Sequence, residues 1–107
     1  MVRASTRLYL TSVSRIALLE RDVEFVFPPR VGEWVKLRNA EVGNYFAIGI
    51  REVTHVEGED VDVMLADLEL ADEELDEYIR SYEVEGWQLK SLKPKGAAVG
   101  NGGAAEG

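Results

Sequence analysis

Short segments in which apolar and polar residues alternate run along most of this chain, and only one stretch changes to a helical spacing. A period of two is the side-chain period of a strand, whose successive residues point to opposite faces of a sheet. Val23, Phe25 and Phe27 share one face, with Glu24 and Val26 on the other. Pro28-Pro29 ends that segment, because neither residue can donate to a ladder. Arg30-Val31-Gly32 turns the chain into Glu33 to Arg38, where Val35 and Leu37 share one face and Trp34, Lys36 and Arg38 the other. After a polar loop from Asn39 to Asn44, Tyr45 to Val56 is the longest strand candidate, long enough to bend across two faces of a barrel. Gly49 near its middle permits a bulge or a close backbone approach. Glu57 to Asp60 is a turn, and Val61, Val63 and Leu65 resume the alternation. Nearer the start, Arg7 to Thr11 and Ile16 to Glu20 read as one or two further strands.

The exception is the stretch holding Leu75, Tyr78, Ile79 and Tyr82, spaced i, i+3, i+4 and i+7, which forms one apolar stripe on a helix. Asp72 is placed to act as its N-cap, and Glu73 and Glu74 lie in a first turn that favours acids. Gly86 suits the left-handed position after the last turn. Trp87, Leu89 and Ser91 then alternate as a closing strand. The expected fold class is therefore α+β: a small bent antiparallel sheet or barrel of five to six strands, with one helix (72–85) before the last strand. A chain of 107 residues is one domain. That domain is expected over 1–92, followed by a flexible Gly/Ala-rich tail over 93–107, where five glycines and four alanines leave little to bury.

The runs VEFVFPPRVGEWVKL, YFAIGIREVTHV and VDVML resemble a pattern among small bacterial and phage proteins of unassigned function, in which a strand ends in a PRVGE turn and two more strands follow. The layout is similar to a small barrel of the Src-homology type, and EGWQLKSL is similar to the helix-to-strand ending of other small bacterial domains. Together these segments cover about half of the chain. They are turn and core motifs, so the resemblance implies a fold and no activity.

Charge and composition narrow the function. There is no cysteine, which removes disulfides, thiolate metal sites and a cysteine nucleophile together. His55 is the one histidine, no serine sits in a GxSxG turn, and no phosphate-cradling glycine loop occurs. No run of residues approaches the apolar length needed to cross a bilayer. The first 19 residues hold Arg3, Arg7 and Arg15 and no acid, a composition shared with transit peptides. Their short, interrupted apolar run makes strands the better expectation, and with it a cytoplasmic location.

The net charge of −8 is unevenly spread: residues 1–51 balance to +3, residues 52–85 to −13 and residues 86–107 to +2. The expectation is an acidic hairpin and helix set against a mildly basic body.

Three groups of residues qualify as sites. His55, Glu57, Glu59, Asp60 and Asp62 crowd one turn, but their spacing fits no calcium loop, and a solvated acidic turn is expected, with no metal and no cofactor. Trp34, Lys36 and Arg38, joined by Arg51, combine an aromatic surface with cations in the manner of a single-stranded nucleic-acid binder. The alternative for Trp34 is to pack under the N-terminal segment or the helix. Glu73, Glu74, Asp76 and Glu77 form an acidic helix face, either solvated or a docking surface for a protein partner. Together these point to a non-enzymatic protein-binding or accessory domain, of phage or mobile-element type by its resemblance. A single-stranded nucleic-acid-binding barrel is the alternative. Sheet edges also offer a route to a homodimer.

Overall fold

The computed structural model describes residues 1–39 and 44–95. Its elements are β1 (Val2–Thr11), β2 (Arg15–Phe25), β3 (Trp34–Asn39), β4 (Asn44–Thr54), β5 (Val61–Leu65), β6 (Leu68–Glu69), α1 (Asp72–Val84) and β7 (Gln88–Pro94). The strands pair in the order β3-β4-β5-β1-β2-β7, with β6 added beside β1. The sheet curls into a half-barrel. The α1 helix packs against β1, β2, β3 and β7 and so spans the space between the two edge strands, β3 and β7.

The α+β class with one helix before the last strand is as the sequence implies. Three details differ. β1 pairs with β5 and β6 in parallel, whereas its pairing with β2 is antiparallel. The two-residue β6 is a seventh strand, continuing the line of β5 after Ala66 N–H turns aside to Gly49 O (2.8 Å). Finally, Ile16–Glu20 and Val23–Phe25 belong to one strand, β2, whose partners run without a break from Thr11 back to Val2.

β1 lies between β5 and β2 and supplies alternate inward residues: Ala4, Thr6, Leu8 and Leu10 are all buried. The first residues of the chain thus build the centre of the sheet. Ala17 and Leu19 of β2, Leu37 of β3, Ile48 and Ile50 of β4, and Val63 and Leu65 of β5 complete the sheet side of the core. Leu75, Ile79 and Tyr82 from α1 close it, with Tyr78 of the same sequence-read stripe half-buried against them. Each buried aliphatic side chain of this kind contributes about 1.5–3 kcal/mol. β4 pairs with β3 through its first half and with β5 through its second, with a bulge between Ile50 and Glu52, next to Gly49.

Helix α1 is capped differently from expectation. Ala71 is the N-cap, and the Glu74 carboxylate reaches back to its N–H (3.0 Å). Asp72 is the first helical residue, and its side chain turns to the β1–β2 hairpin instead, where its Oδ1 accepts from the Ser14 hydroxyl (2.8 Å) and Ser14 N–H (3.2 Å). At the other end Gly86 takes φ +96°, a conformation open to glycine, and Trp87 N–H bonds Tyr82 O (3.1 Å). The buried Trp87 ring carries Arg21 4.9 Å above its centre, and Arg21 Nη1 donates to Glu85 O (2.7 Å). β7 runs through Lys93 and Pro94, which pair with Ile16 and Arg15, so ordered pairing extends past residue 92. The remainder of the tail, 96–107, and residues 40–43 of the polar loop lie outside the described residues.

Candidate functional site

The β2–β3 connection departs from its sequence reading. Phe25, the last residue of β2, pairs with Val2, the first residue of β1, so the ladder runs out where β1 begins. Val26 and Phe27 therefore leave the sheet, 72% and 77% exposed. Phe27 does not share the half-buried position of Val23 and Phe25; its exposure corrects the simple alternation. Pro29 is buried and fixes the path of the chain into the next turn.

That turn spans Arg30 to Glu33. Glu33 N–H bonds Arg30 O (3.2 Å), and the Glu33 carboxylate accepts from Arg30 N–H (2.8 Å). Gly32, at the third position, takes φ +92°, as a type II turn requires. Gly32 N–H to Ile50 O (3.0 Å) and Ile50 N–H to Glu33 O (2.8 Å) fasten the turn to β4. The result is a shallow cleft lined by Phe25, Val26, Phe27, Trp34, Val35 and Ile50, with Glu33 at its rim. Trp34 is 72% exposed, which rules out its packing beneath the helix or the N-terminal segment. Isolated exposed apolar side chains are ordinary, but three large ones on a single cleft held by a braced turn are not.

β3 follows the two-faced pattern read from the sequence. Leu37 is buried and Val35 half-buried, while Trp34, Lys36 and Arg38 are exposed. The cations on β3 and near its ends differ in their commitments, and Arg51 lies apart from this face. Arg38 Nε lies 4.0 Å from Glu85. Arg51 is held by Asp67 (3.5 Å) and by Met64 Sδ, in a separate groove with Tyr9 and Ile16. Among the described residues, Lys36 and Arg30 enter no ion pair.

The acidic helix face is partly engaged in holding the fold. Glu73, Glu74, Asp76 and Glu77 are all exposed, but Glu74 caps the Ala71 N–H and Asp76 pairs with Arg15 (3.1 Å). The hydroxyls of Ser12 and Ser14, together with the Ser14 N–H, hold the Asp72 carboxyl below its ordinary value of 3.8. In the β4–β5 connection, His55, Glu57 and Glu59 are exposed, and Asp60 is held by Arg3 (3.1 Å). No three His, Asp or Glu side chains among the described residues converge to hold a metal ion. No helix among them is long and apolar enough to cross a membrane.

Sequence reasoning singled out Trp34, Lys36 and Arg38 but missed Val26 and Phe27. The available signal was an apolar pair set directly before two prolines, where a strand must stop. No protein-family model matches the chain, and neither a curated protein nor a solved structure matches it.

Proposed function

We propose that this chain is a non-enzymatic protein-binding module whose docking surface is the shelf formed by Val26, Phe27 and Trp34. The observation that carries the reading is the exposure of these three side chains on a cleft braced by the Arg30–Glu33 turn. Exposed aromatic side chains on a rigid support lose little entropy when covered, and they are the residue types that dominate binding energy at protein interfaces. The acidic helix face is the weaker candidate, because two of its four carboxylates already serve the fold.

A peptide selection tests this. Random octapeptides displayed on phage are selected against the 107-residue chain, and enriched peptides are then titrated while Trp34 emission is followed. Trp87 is buried, so the exposed Trp34 reports contact. Truncating an interface aromatic of this kind is expected to weaken binding about 30-fold or more, so Trp34→Ser and Phe27→Ser should each abolish enrichment while the circular dichroism stays that of the parent. Selected peptides that bind both variants as well as the parent would place the surface elsewhere.

A second reading rests on the same strand, since Trp34, Lys36 and Arg38 are exposed on one face. Single-stranded nucleic acid would stack on Trp34 with its phosphates on the cations. A fifteen-nucleotide oligothymidine, titrated at low and high salt, separates the two: affinity that falls steeply with salt and is lost in Trp34→Ser favours nucleic acid.

A further inference from the structure

We infer that the partner of the shelf is an extended, acid-bearing peptide segment that adds to the free edge of β3, with a bulky apolar residue opposite Trp34 and acids opposite Lys36 and Arg38. The inference rests on the protein-binding reading above and specifies its partner.

The ladder between β3 and β4 decides which groups the edge offers. Trp34 pairs with Gly49, and Ile50 N–H bonds Glu33 O one step beyond that pair. In an antiparallel ladder this makes Trp34–Gly49 a non-hydrogen-bonded pair, so the bonded positions are Val35 and Leu37. Trp34, Lys36 and Arg38 therefore turn their N–H and C=O groups away from β4, toward the edge that no described strand occupies. The residues whose backbone groups face that edge, which no described strand covers, are the same residues whose side chains are exposed.

That coincidence sets the chemistry of an incoming strand. A segment bonding to Trp34, Lys36 and Arg38 places its directly opposed side chains on the same exposed face, within reach of theirs. Opposite Trp34, beside Phe27 and Val26, an apolar side chain covers the shelf. Opposite Lys36, which enters no ion pair among the described residues, an acid is the complementary choice, and Arg38 is held only loosely by Glu85. An antiparallel partner then reads acid-x-acid-x-apolar along its chain, and a parallel one reads the reverse. This is strand addition, in which main-chain bonds supply affinity and alternate side chains supply specificity.

The phage-selected peptides supply the probes, and the 107-residue chain is the target. Enriched octapeptides are expected to carry Asp or Glu two positions from a bulky apolar residue. Bound peptide should slow amide exchange at Trp34, Lys36 and Arg38 by about tenfold, leaving Val35 and Leu37 unchanged. Lys36→Glu should weaken acidic peptides about two- to fivefold and strengthen their lysine-substituted versions, a reversal that misfolding would not produce. Peptides that depend on Trp34 but carry no such acid, or that leave those three amides unprotected, overturn this inference while the shelf remains the binding surface. Absence of any Trp34-dependent peptide overturns the protein-binding reading itself. Oligothymidine that protects the same amides overturns both in favour of nucleic acid.

Discussion

Trp34 and Trp87 show how little residue type says about placement. Both are tryptophans at strand starts, yet one is 72% exposed and the other 2%. Trp87 follows Gly86, whose positive φ turns the chain back under α1, and Arg21 covers its ring. Trp34 follows a turn fastened to β4, which holds it at the rim of the sheet. Asp72 makes the same point in electrostatics. Its sequence position suggests an N-cap, but the nearby hairpin offers Ser14 donors, and the helix takes Ala71 with Glu74 as its cap instead. Because folding depresses its pKa, the Asp72 carboxylate stabilises the fold fully above its unfolded value near 3.8, and that contribution is lost as pH falls through the lower folded value. Urea unfolding of Asp72→Asn should therefore show lower stability than the parent at neutral pH, with the gap closing below about pH 4. A gap that stayed constant with pH would show that the charge is not what Ser12 and Ser14 hold.

At the scale of elements, the helix was the most legible part of the sequence and the strand ends were the least. The apolar stripe of α1 survives any tertiary arrangement, because it needs only something flat to cover. A strand end is decided by whether a neighbour continues beside it. β2 stops at Phe25, opposite Val2, and Val26-Phe27 turn out of the ladder to become a surface feature. β3 carries a matching liability, since one side of its backbone has no described strand beside it. Lys36 is the charge at the middle of that edge, and such charges oppose pairing between copies. Lys36→Val should raise the weight-average mass in sedimentation equilibrium as concentration rises, with the parent unchanged over the same range. A variant whose mass changed with concentration no more than the parent's would mean that Lys36 plays no protective part.

Over the whole molecule, the uneven charge of the sequence is folded back on itself. Four of the five ion pairs among the described residues join an arginine from the first half of the chain to an acid between residues 52 and 85: Arg3–Asp60, Arg15–Asp76, Arg38–Glu85 and Arg51–Asp67. The expected separation into an acidic half and a basic body is thereby partly undone at the surface. Each such exposed pair contributes little, and its value lies in matching elements that are distant in sequence. Exchanging Arg15 and Asp76 tests this: Arg15→Asp and Asp76→Arg should each destabilise the fold, and the double variant should recover about 0.2–1 kcal/mol relative to the sum of the two. Simple additivity would mean the pair is not coupled.

The helix, the two faces of β3 and the positive-φ role of Gly86 were legible in the amino-acid order. Each of these follows from periodicity or from backbone freedom within a few residues. It took the packed fold to set β5 and β6 parallel to β1, to leave the shelf of Val26, Phe27 and Trp34 uncovered, and to bring Asp76 to Arg15. Those outcomes depend on partners tens of residues away, and a local pattern carries no record of which strand ends up beside which.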